Sequence, residues 1–287
     1  MPYVIIAATA MINPLQLLLG FLLAVIVSIL ARRARSLNHS GALAAGVLGA
    51  VVFGLGGWSW ALLLLGFFVS SSALSRLFGR RKRSLNEKFS KGAERDAAQV
   101  IANGGFSGLF VLLHLVFPDA TWPWVAYAGS LAAVNADTWA TELGVLSRVA
   151  PRLITTGKLV EHGTSGGISL AGTAAAQGGA LFIALLAVIF WAPENTPAIG
   201  QALLLLLLVG LAGLLGSLLD SYLGATVQAI YTCPTCLKET EHHPQHTCGS
   251  ATQRIRGLPW LNNEWVNLAC AAAGGAIAIV IQLALGI

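Results

Sequence analysis

The sequence has few charged residues, and this scarcity excludes a soluble globular protein. Only 10% of its 287 residues are Asp, Glu, Lys or Arg, whereas soluble domains carry about 25%. Hydrophobic residues make up 56% of the chain. Several apolar runs approach the roughly 20 residues that a helix needs to cross a bilayer. The composition therefore predicts an all-α, polytopic membrane helix bundle that forms one integral membrane domain over residues 1–287.

The sequence also lacks the basic start of a cleaved signal peptide and the many cysteines of a disulfide-stabilised protein. Lys and Arg are absent from the N-terminal segment MPYVIIAATAMINP, whereas a cleaved secretory signal begins with basic residues. We therefore expect the first apolar run to be a permanent span. Four cysteines in a chain of this length do not indicate a disulfide framework. The net charge of +5 does not indicate nucleic-acid binding, because membrane proteins concentrate Lys and Arg in cytoplasmic loops.

The apolar runs predict eight membrane helices, with six or seven as the alternative, because GLGGW (54–58) leaves little room between the second and third. The predicted helices cover 15–31, 41–57, 58–78, 97–117, 122–146, 166–191, 199–224 and 264–286. All 17 Lys and Arg then lie on one side, in the segments 32–40, 76–96, 147–165 and 225–263. The other side carries only Asp119 and Glu194. The positive-inside rule places both termini outside and the basic loops in the cytoplasm, in the plasma membrane of a bacterium or archaeon.

Acidic side chains lie inside or beside these spans, where a charge costs a few kcal/mol and by default indicates function. Helix direction places five of them near the cytoplasmic ends: Asp96, Asp137, Glu142, Asp220 and Glu264. Polar neighbours follow at helical spacing, among them Asn103, Thr138, Ser217, Asn263 and Asn267. Carboxylates at one depth repel one another unless a cation or proton neutralises them, and their oxygens suit Mg²⁺. The alternative is that these residues cap helices and join them by hydrogen bonds.

A glycine-rich loop precedes the sixth predicted helix. Thr164 and Ser165 are expected to cap that helix, and the neighbouring residues Gly163, Gly166 and Gly167 leave backbone N–H groups uncovered. Such a helix start is typical of an anion site, and Lys158 and His162 could add hydrogen bonds or positive charge to a bound phosphate. The order of residues is not that of a Walker A loop.

The last basic loop carries the pattern of a metal site. Cys233 and Cys236 form a CxxC pair, and His246 and Cys248 complete a Cys₃His set typical of structural zinc. His242 and His243 compete with His246 for the imidazole position. Because the cytoplasm is reducing, a structural disulfide is not expected. The alternative is a redox-active or unliganded thiol pair.

Over nearly its whole length, the chain resembles a family of integral membrane proteins that includes plant phytyl-phosphate kinase and many uncharacterised members. The similarity runs in order through RDAAQVIANGG, NADTWATELG, TTGKLVEHGTSGGISLAG, GSLLDSYLGATVQ and CPTC…HTCG…WLNNEWVN. The resemblance implies transfer of a phosphoryl group from a nucleoside triphosphate to an isoprenoid monophosphate. CTP is the donor that related membrane prenol and dolichol kinases favour. It also implies that Asp137, Glu142 and Asp220 lie in the active site. Family members often carry Asp where this chain has Glu264, and either carboxylate can hold a metal.

These observations together give the hypothesis of a Mg²⁺-dependent prenyl-phosphate kinase embedded in membrane lipid. The catalytic residues would be Asp137, Asp220, Glu142 and Lys158, and Mg²⁺ would be held by Asp137, Asp220, Glu142 and Glu264. The phosphate-binding residues would be Asp96, Asn103, Thr138, the loop 163–167, Ser217, Asn263 and Asn267. The alternatives are a lipid-phosphate nucleotidyltransferase, a transporter of a phosphorylated or anionic solute, and a non-catalytic assembly factor. The sequence leaves open whether the chain forms a homo-oligomer.

Overall fold

Eight long helices occur in the residues that the structure, a computed structural model, describes: 13–78, 94–191 and 197–286. They are α1 (Pro14–Arg33), α2 (His39–Gly56), α3 (Trp58–Phe78), α4 (Ala97–Val116), α5 (Trp122–Gly144), α6 (Leu170–Ile189), α7 (Ile199–Thr226) and α8 (Asn263–Leu285). Seven of them are long and apolar enough to cross a membrane, all except α5. The predicted polytopic helical membrane fold is confirmed.

Local signals end the helices close to the predicted positions. Gly57 separates α2 from α3: it has φ +81° and donates its N–H to Phe53 O at 2.8 Å. Glycine adopts this left-handed conformation without steric cost, so two helices form where the sequence left a shorter count open. Asn side chains cap α1, α2 and α8 by accepting backbone N–H groups, at Asn13, Asn38 and Asn262.

Helix α6 begins four residues later than predicted, and the expected caps Thr164 and Ser165 are wrong. The N-cap is Ser169, whose hydroxyl accepts the N–H of Gly172 at 3.1 Å. Residues Gly167–Ile168 instead form a short strand β2, antiparallel to β1 (Arg152–Leu153). The glycine-rich segment is therefore a folded loop in front of the helix rather than its first turn.

Helix α5 is the centre of the bundle and packs against α3, α4, α6, α7 and α8. Every residue from Pro123 to Ala136 is buried. Because neighbouring helices cover it, α5 does not need the apolar surface that lipid contact demands. It carries polar groups such as Asn135, whose oxygen accepts from Ser70 at 3.0 Å and whose nitrogen donates to Gly179 O at 2.8 Å.

Small residues let α5 approach its neighbours closely. A Cβ at Gly129 would lie 2.6 Å from the Cβ of Ala278, and one at Gly216 would lie 2.5 Å from the Cβ of Ala133. Such contacts are typical of helix pairs in membranes, where close backbone packing stabilises association. They bring the ends of α5, α7 and α8 together at one end of the bundle.

Two small sheets lie at that same end, outside the helices. Between α7 and α8 the chain forms a three-stranded antiparallel sheet of β3 (Ile230–Cys233), β4 (Lys238–Thr240) and β5 (Gln253–Arg256), in the order β4-β3-β5. The sequence indicated only a loop there. Residues 1–12, most of the basic segment 76–96, and Glu194 lie outside the described residues. The orientation in the membrane remains a prediction.

Candidate active site

A polar cavity of about 410 Å³ lies where α4, α6 and α8 begin and α5 and α7 end. Its volume is within the range of roughly 300–1,000 Å³ that ligand sites occupy. Side chains from those five helices, from the end of α3, from the glycine-rich loop and from the α7–α8 connection line it. The predicted residues among them are Asn103, Asp137, Thr138, Glu142, Gly163, Thr164, Ser165, Gly166, Gly167, Ser217, Asp220, Asn263, Glu264 and Asn267. Residues up to 192 positions apart in the chain, Ser75 and Asn267, therefore meet at one place.

Carboxylates from separate helices face this cavity. Asp137 on α5 and Asp220 on α7 lie within electrostatic range of each other, and Glu241 adds a third negative charge beside Asp220. The Oδ2 atom of Asp220 is buried and accepts no hydrogen bond from any residue that the structure describes. A buried acceptor normally has a partner, and crowded carboxylates need a counter-charge. Both observations fit a cation bound between these groups.

The glycine-rich loop forms one wall of the cavity and is held against α7. Gly166 has φ +82°, and a Cβ there would lie 2.4 Å from the Cβ of Ala225, so only glycine fits. The N–H groups of Thr164 and Gly167 donate to loop carbonyls, those of Glu161 and Thr164. Within the described residues, the N–H groups of Gly163, Ser165 and Gly166 make no backbone hydrogen bond. These three are the donors that a bound anion could use.

Arg95 is a lining residue that the sequence analysis counted only as a topology charge. Its N–H donates to Ser36 O and its carbonyl accepts from the Asn38 N–H, both at 3.0 Å. Its guanidinium carbon lies 5.8 Å from the centre of the Phe67 ring. Burial lowers the pKa of Arg95, and the Glu142 carboxylate acts in the opposite direction. Arginine remains protonated in proteins, so a positioned cation faces the acidic groups. Its place directly before the polar face of α4 was the available signal.

Two predicted residues do not line the cavity. Lys158 is exposed on the turn after β1, where its carbonyl accepts the N–H of Leu153 at 2.9 Å. Asp96 instead caps α4: its Oδ1 accepts the Gln99 N–H at 2.9 Å, and Gln99 Oε1 accepts the Asp96 N–H at 3.2 Å. This reciprocal pair is a capping box, the alternative that sequence reasoning had set beside function. Glu142 lines the cavity and accepts from Ser75 Oγ at 2.9 Å.

The predicted Cys₃His residues meet in the sheet after α7. One ligand atom from each of Cys233, Cys236, His246 and Cys248 lies within 4.8 Å of the others. The Sγ atoms of Cys233 and Cys248 are 3.5 Å apart, and His246 Nδ1 is 3.2 Å from Cys248 Sγ. Tetrahedral zinc with bonds of about 2.0–2.3 Å separates its ligands by about 3.5–3.8 Å, so the group can hold a metal ion of this size.

Hydrogen bonds within this cluster shift the pKa values of two of its thiols in opposite directions. Hydrogen bonds from Ser250 and His246 lower the pKa of Cys248 to about 5. Hydrogen bonding to Cys248 raises the pKa of Cys236 to about 11. Metal ligation requires thiolates, so binding at neutral pH would release the Cys236 proton.

The competing histidines lie outside the cluster. His243 stacks on Tyr231, with ring centres 4.4 Å apart, and the centre of the His242 ring is 6.1 Å from that of His246. The structure therefore selects His246 as the imidazole of the group.

A chain of hydrogen bonds joins the glycine-rich loop to the cysteine-bearing connection. Ser165 Oγ donates to Gln228 Oε1 at 2.8 Å, and Gln228 Nε2 donates to Glu241 Oε1 at 2.9 Å. Arg256 of β5 donates to the carbonyl oxygens of Ser165 and Ala225, at 3.1 and 3.2 Å. Glu241 thereby enters the cavity lining, although nothing in its local sequence distinguishes it from a surface acid.

Comparison with known proteins gives matches over most of the chain. The family model described as integral membrane protein DUF92 matches residues 22–275. Protein PGR of Arabidopsis thaliana is 33% identical over 268 residues, which cover 88% of this chain and 91% of the plant protein. An uncharacterised membrane protein of Methanocaldococcus jannaschii is 29% identical over 94% of this chain and 96% of its own. A Synechocystis protein, also an uncharacterised membrane protein, is 27% identical over 82% of this chain and 79% of its own. No solved structure matches the chain.

Proposed function

The chain belongs to the integral membrane protein family DUF92, and from this premise we propose that it is a membrane prenyl-phosphate kinase. Its donor would be a nucleoside triphosphate, with CTP favoured, and its acceptor an isoprenoid monophosphate such as phytyl, farnesyl or geranylgeranyl phosphate. The product would be the isoprenoid diphosphate. The resemblance to the family of phytyl-phosphate kinase supports this choice of substrates. The basic loops support a cytoplasmic active site.

The observation that carries the proposal is the single cavity shared by Asp137, Asp220, Arg95 and the glycine-rich loop. A phosphotransferase needs positive charge to bind phosphates and carboxylates to hold a divalent cation. The residues that would hold Mg²⁺ are Asp137, Asp220, Glu142 and Glu264, and the unsatisfied Oδ2 atom of Asp220 fits such a ligand. When bound, Mg²⁺ would neutralise charge on the transferred phosphoryl group.

The residues of the chain would act mainly by positioning. Ser165 and Gly166 would donate backbone N–H groups to phosphate oxygens of the nucleotide, while Asn103, Asn263 and Asn267 would orient it. An oxygen of the acceptor phosphate then bonds to the γ-phosphorus. The bond from that phosphorus to the β–γ bridging oxygen breaks, and the nucleoside diphosphate leaves with the electron pair. Because the acceptor phosphate is already anionic, no strong general base is required.

The location of the cavity favours an enzyme over a transporter. Transporter sites usually lie near the bilayer midplane between repeated halves, whereas these carboxylates gather at one end of the bundle. The Cys₃His group would hold zinc as a structural ion, because all four tetrahedral positions are taken by protein ligands. It would stabilise the connection that carries Glu241 to the cavity.

The proposal is tested with purified protein, Mg²⁺, γ-labelled CTP or ATP, and phytyl, farnesyl or geranylgeranyl phosphate. We expect the label in a lipid diphosphate, together with an equal amount of nucleoside diphosphate. A nucleotidyltransferase would release pyrophosphate and leave the γ-label in water. Nucleotide-independent uptake of the lipid phosphate into proteoliposomes, with no hydrolysis, would contradict the kinase assignment.

A further inference from the structure

A second cavity of about 210 Å³ lies between α1, α2, α3 and α4, beside the polar one. Within the proposed function, on which this inference rests, we propose that it holds the isoprenoid chain of the acceptor. The acceptor phosphate would lie at Arg95, where the two cavities adjoin. This assigns a lipid-chain subsite to a cavity that none of the predicted acids lines.

The lining of this cavity is apolar along most of its length. Leucine, valine, alanine and aromatic side chains of α1 to α4 form it. Its residues on α3 run from Trp58 to Phe68, a distance of about 15 Å at 1.5 Å per residue. An apolar cavity of this length suits a single hydrocarbon chain, whose methylene groups would pack against the apolar lining. It does not suit a nucleotide.

The residues shared by the two cavities indicate what kind of ligand the apolar cavity binds. Arg95, Gln99 and Asn103 line both cavities, so an occupant of the apolar one ends among phosphate-binding groups. Arg95 is fixed by its backbone hydrogen bonds to Ser36 and Asn38. Its guanidinium lies over Phe67, a residue of the apolar lining. An amphiphile with one apolar chain and a terminal phosphate matches this order of surfaces, since arginine binds phosphate through two parallel hydrogen bonds.

Filling the cavity should discriminate between acceptors by chain length. Ala61 of α3 lines the apolar cavity, whereas Ala73 of the same helix is exposed and lines neither cavity. We expect Ala61→Phe to raise KM for geranylgeranyl phosphate at least tenfold and KM for dimethylallyl phosphate less than twofold. Ala73→Phe should leave both values unchanged. Equal KM for the long acceptor in both variants would overturn the inference, and Ala45→Phe on α2 serves as the second cavity-filling variant should Ala61→Phe not fold.

A binding measurement without turnover separates this inference from the proposed reaction. Unmodified protein is irradiated with geranylgeranyl phosphate carrying a diazirine at the far end of its chain. Labelled peptides should come from α1 to α4, and Arg95→Gln should reduce labelling at least tenfold. If α1 to α4 are labelled but the protein transfers no phosphate, the lipid-chain subsite stands and the kinase proposal fails. Labels on α6 or α7, or complete competition by an equal amount of phosphatidylglycerol, would overturn the subsite.

Discussion

Replacing Asp220 by Asn removes one negative charge from the cavity with almost no change in shape. The Oδ2 atom of Asp220 accepts no hydrogen bond from the described residues, and Asp137 and Glu241 are the charges that act on it. The amide therefore relieves repulsion between carboxylates and breaks no contact at that atom. The free energy of unfolding should stay the same or rise slightly, measured as an unchanged or higher Tm in detergent without Mg²⁺.

Activity should respond in the opposite direction. A carboxylate ligand both binds the cation and stabilises charge in the transition state, and losing one preorganised electrostatic group of an active site typically costs about 10²–10³ in kcat, or about 2.7–4 kcal/mol. We expect a fall of this size in label transfer from CTP to geranylgeranyl phosphate. Because the amide still offers one oxygen ligand, raising the Mg²⁺ concentration should recover part of the loss.

Asp119→Asn is the matched control, since Asp119 is exposed at the opposite end of the bundle, between α4 and α5. It should keep the turnover of the unmodified protein. Turnover within twofold of normal in Asp220→Asn would refute the assignment of this carboxylate. A Tm lowered by several degrees would show that Asp220 has a structural role.

Three further results are expected. Gly166→Ala should lower the free energy of unfolding by about 1–3 kcal/mol and abolish nucleotide binding, because the new Cβ would lie 2.4 Å from that of Ala225. Gly157→Ala is the control: Gly157 has φ +68° but nothing within 4 Å of an added Cβ, so this variant should lose less stability and keep nucleotide binding. Elemental analysis should find one zinc ion per chain, lost in Cys233→Ser and kept in Cys270→Ser, and zinc in both variants or in neither would contradict the ligand set. A membrane-impermeant maleimide applied to intact cells should label Asp119→Cys but not Lys158→Cys, and the reverse would invert the predicted orientation.

The helices could be predicted closely because their signals are local. Apolar runs and the GLGGW segment indicated their approximate bounds, and the predicted clustering of all 17 Lys and Arg on one side favoured eight helices over six or seven. Hydropathy alone is weakest for α5. Because five neighbouring helices bury α5, its side chains do not have to be apolar enough to face lipid. The composition of the segment does not reveal this packing.

Only the site residues that helix direction brings to the same depth in the membrane could be predicted from the sequence. Asp137 and Asp220 could be placed together from helix direction alone. Lys158 was assigned from its chemistry within a short loop, but the hairpin turns it outward. Arg95 and Glu241 reach the cavity through contacts between distant segments, with the 36–38 loop and with Gln228. No local pattern encodes such contacts.

The central claim is that carboxylates of separate helices bind one cation together with the nucleotide. It is tested most directly with Mn²⁺ in place of Mg²⁺. Electron paramagnetic resonance of purified protein should show one bound Mn²⁺ per chain, and CTP should add phosphorus couplings from its phosphates. Asp137→Asn combined with Asp220→Asn should abolish both signals. Bound Mn²⁺ that persists undiminished in the double variant, or that shows no phosphorus coupling with saturating nucleotide, would contradict the account.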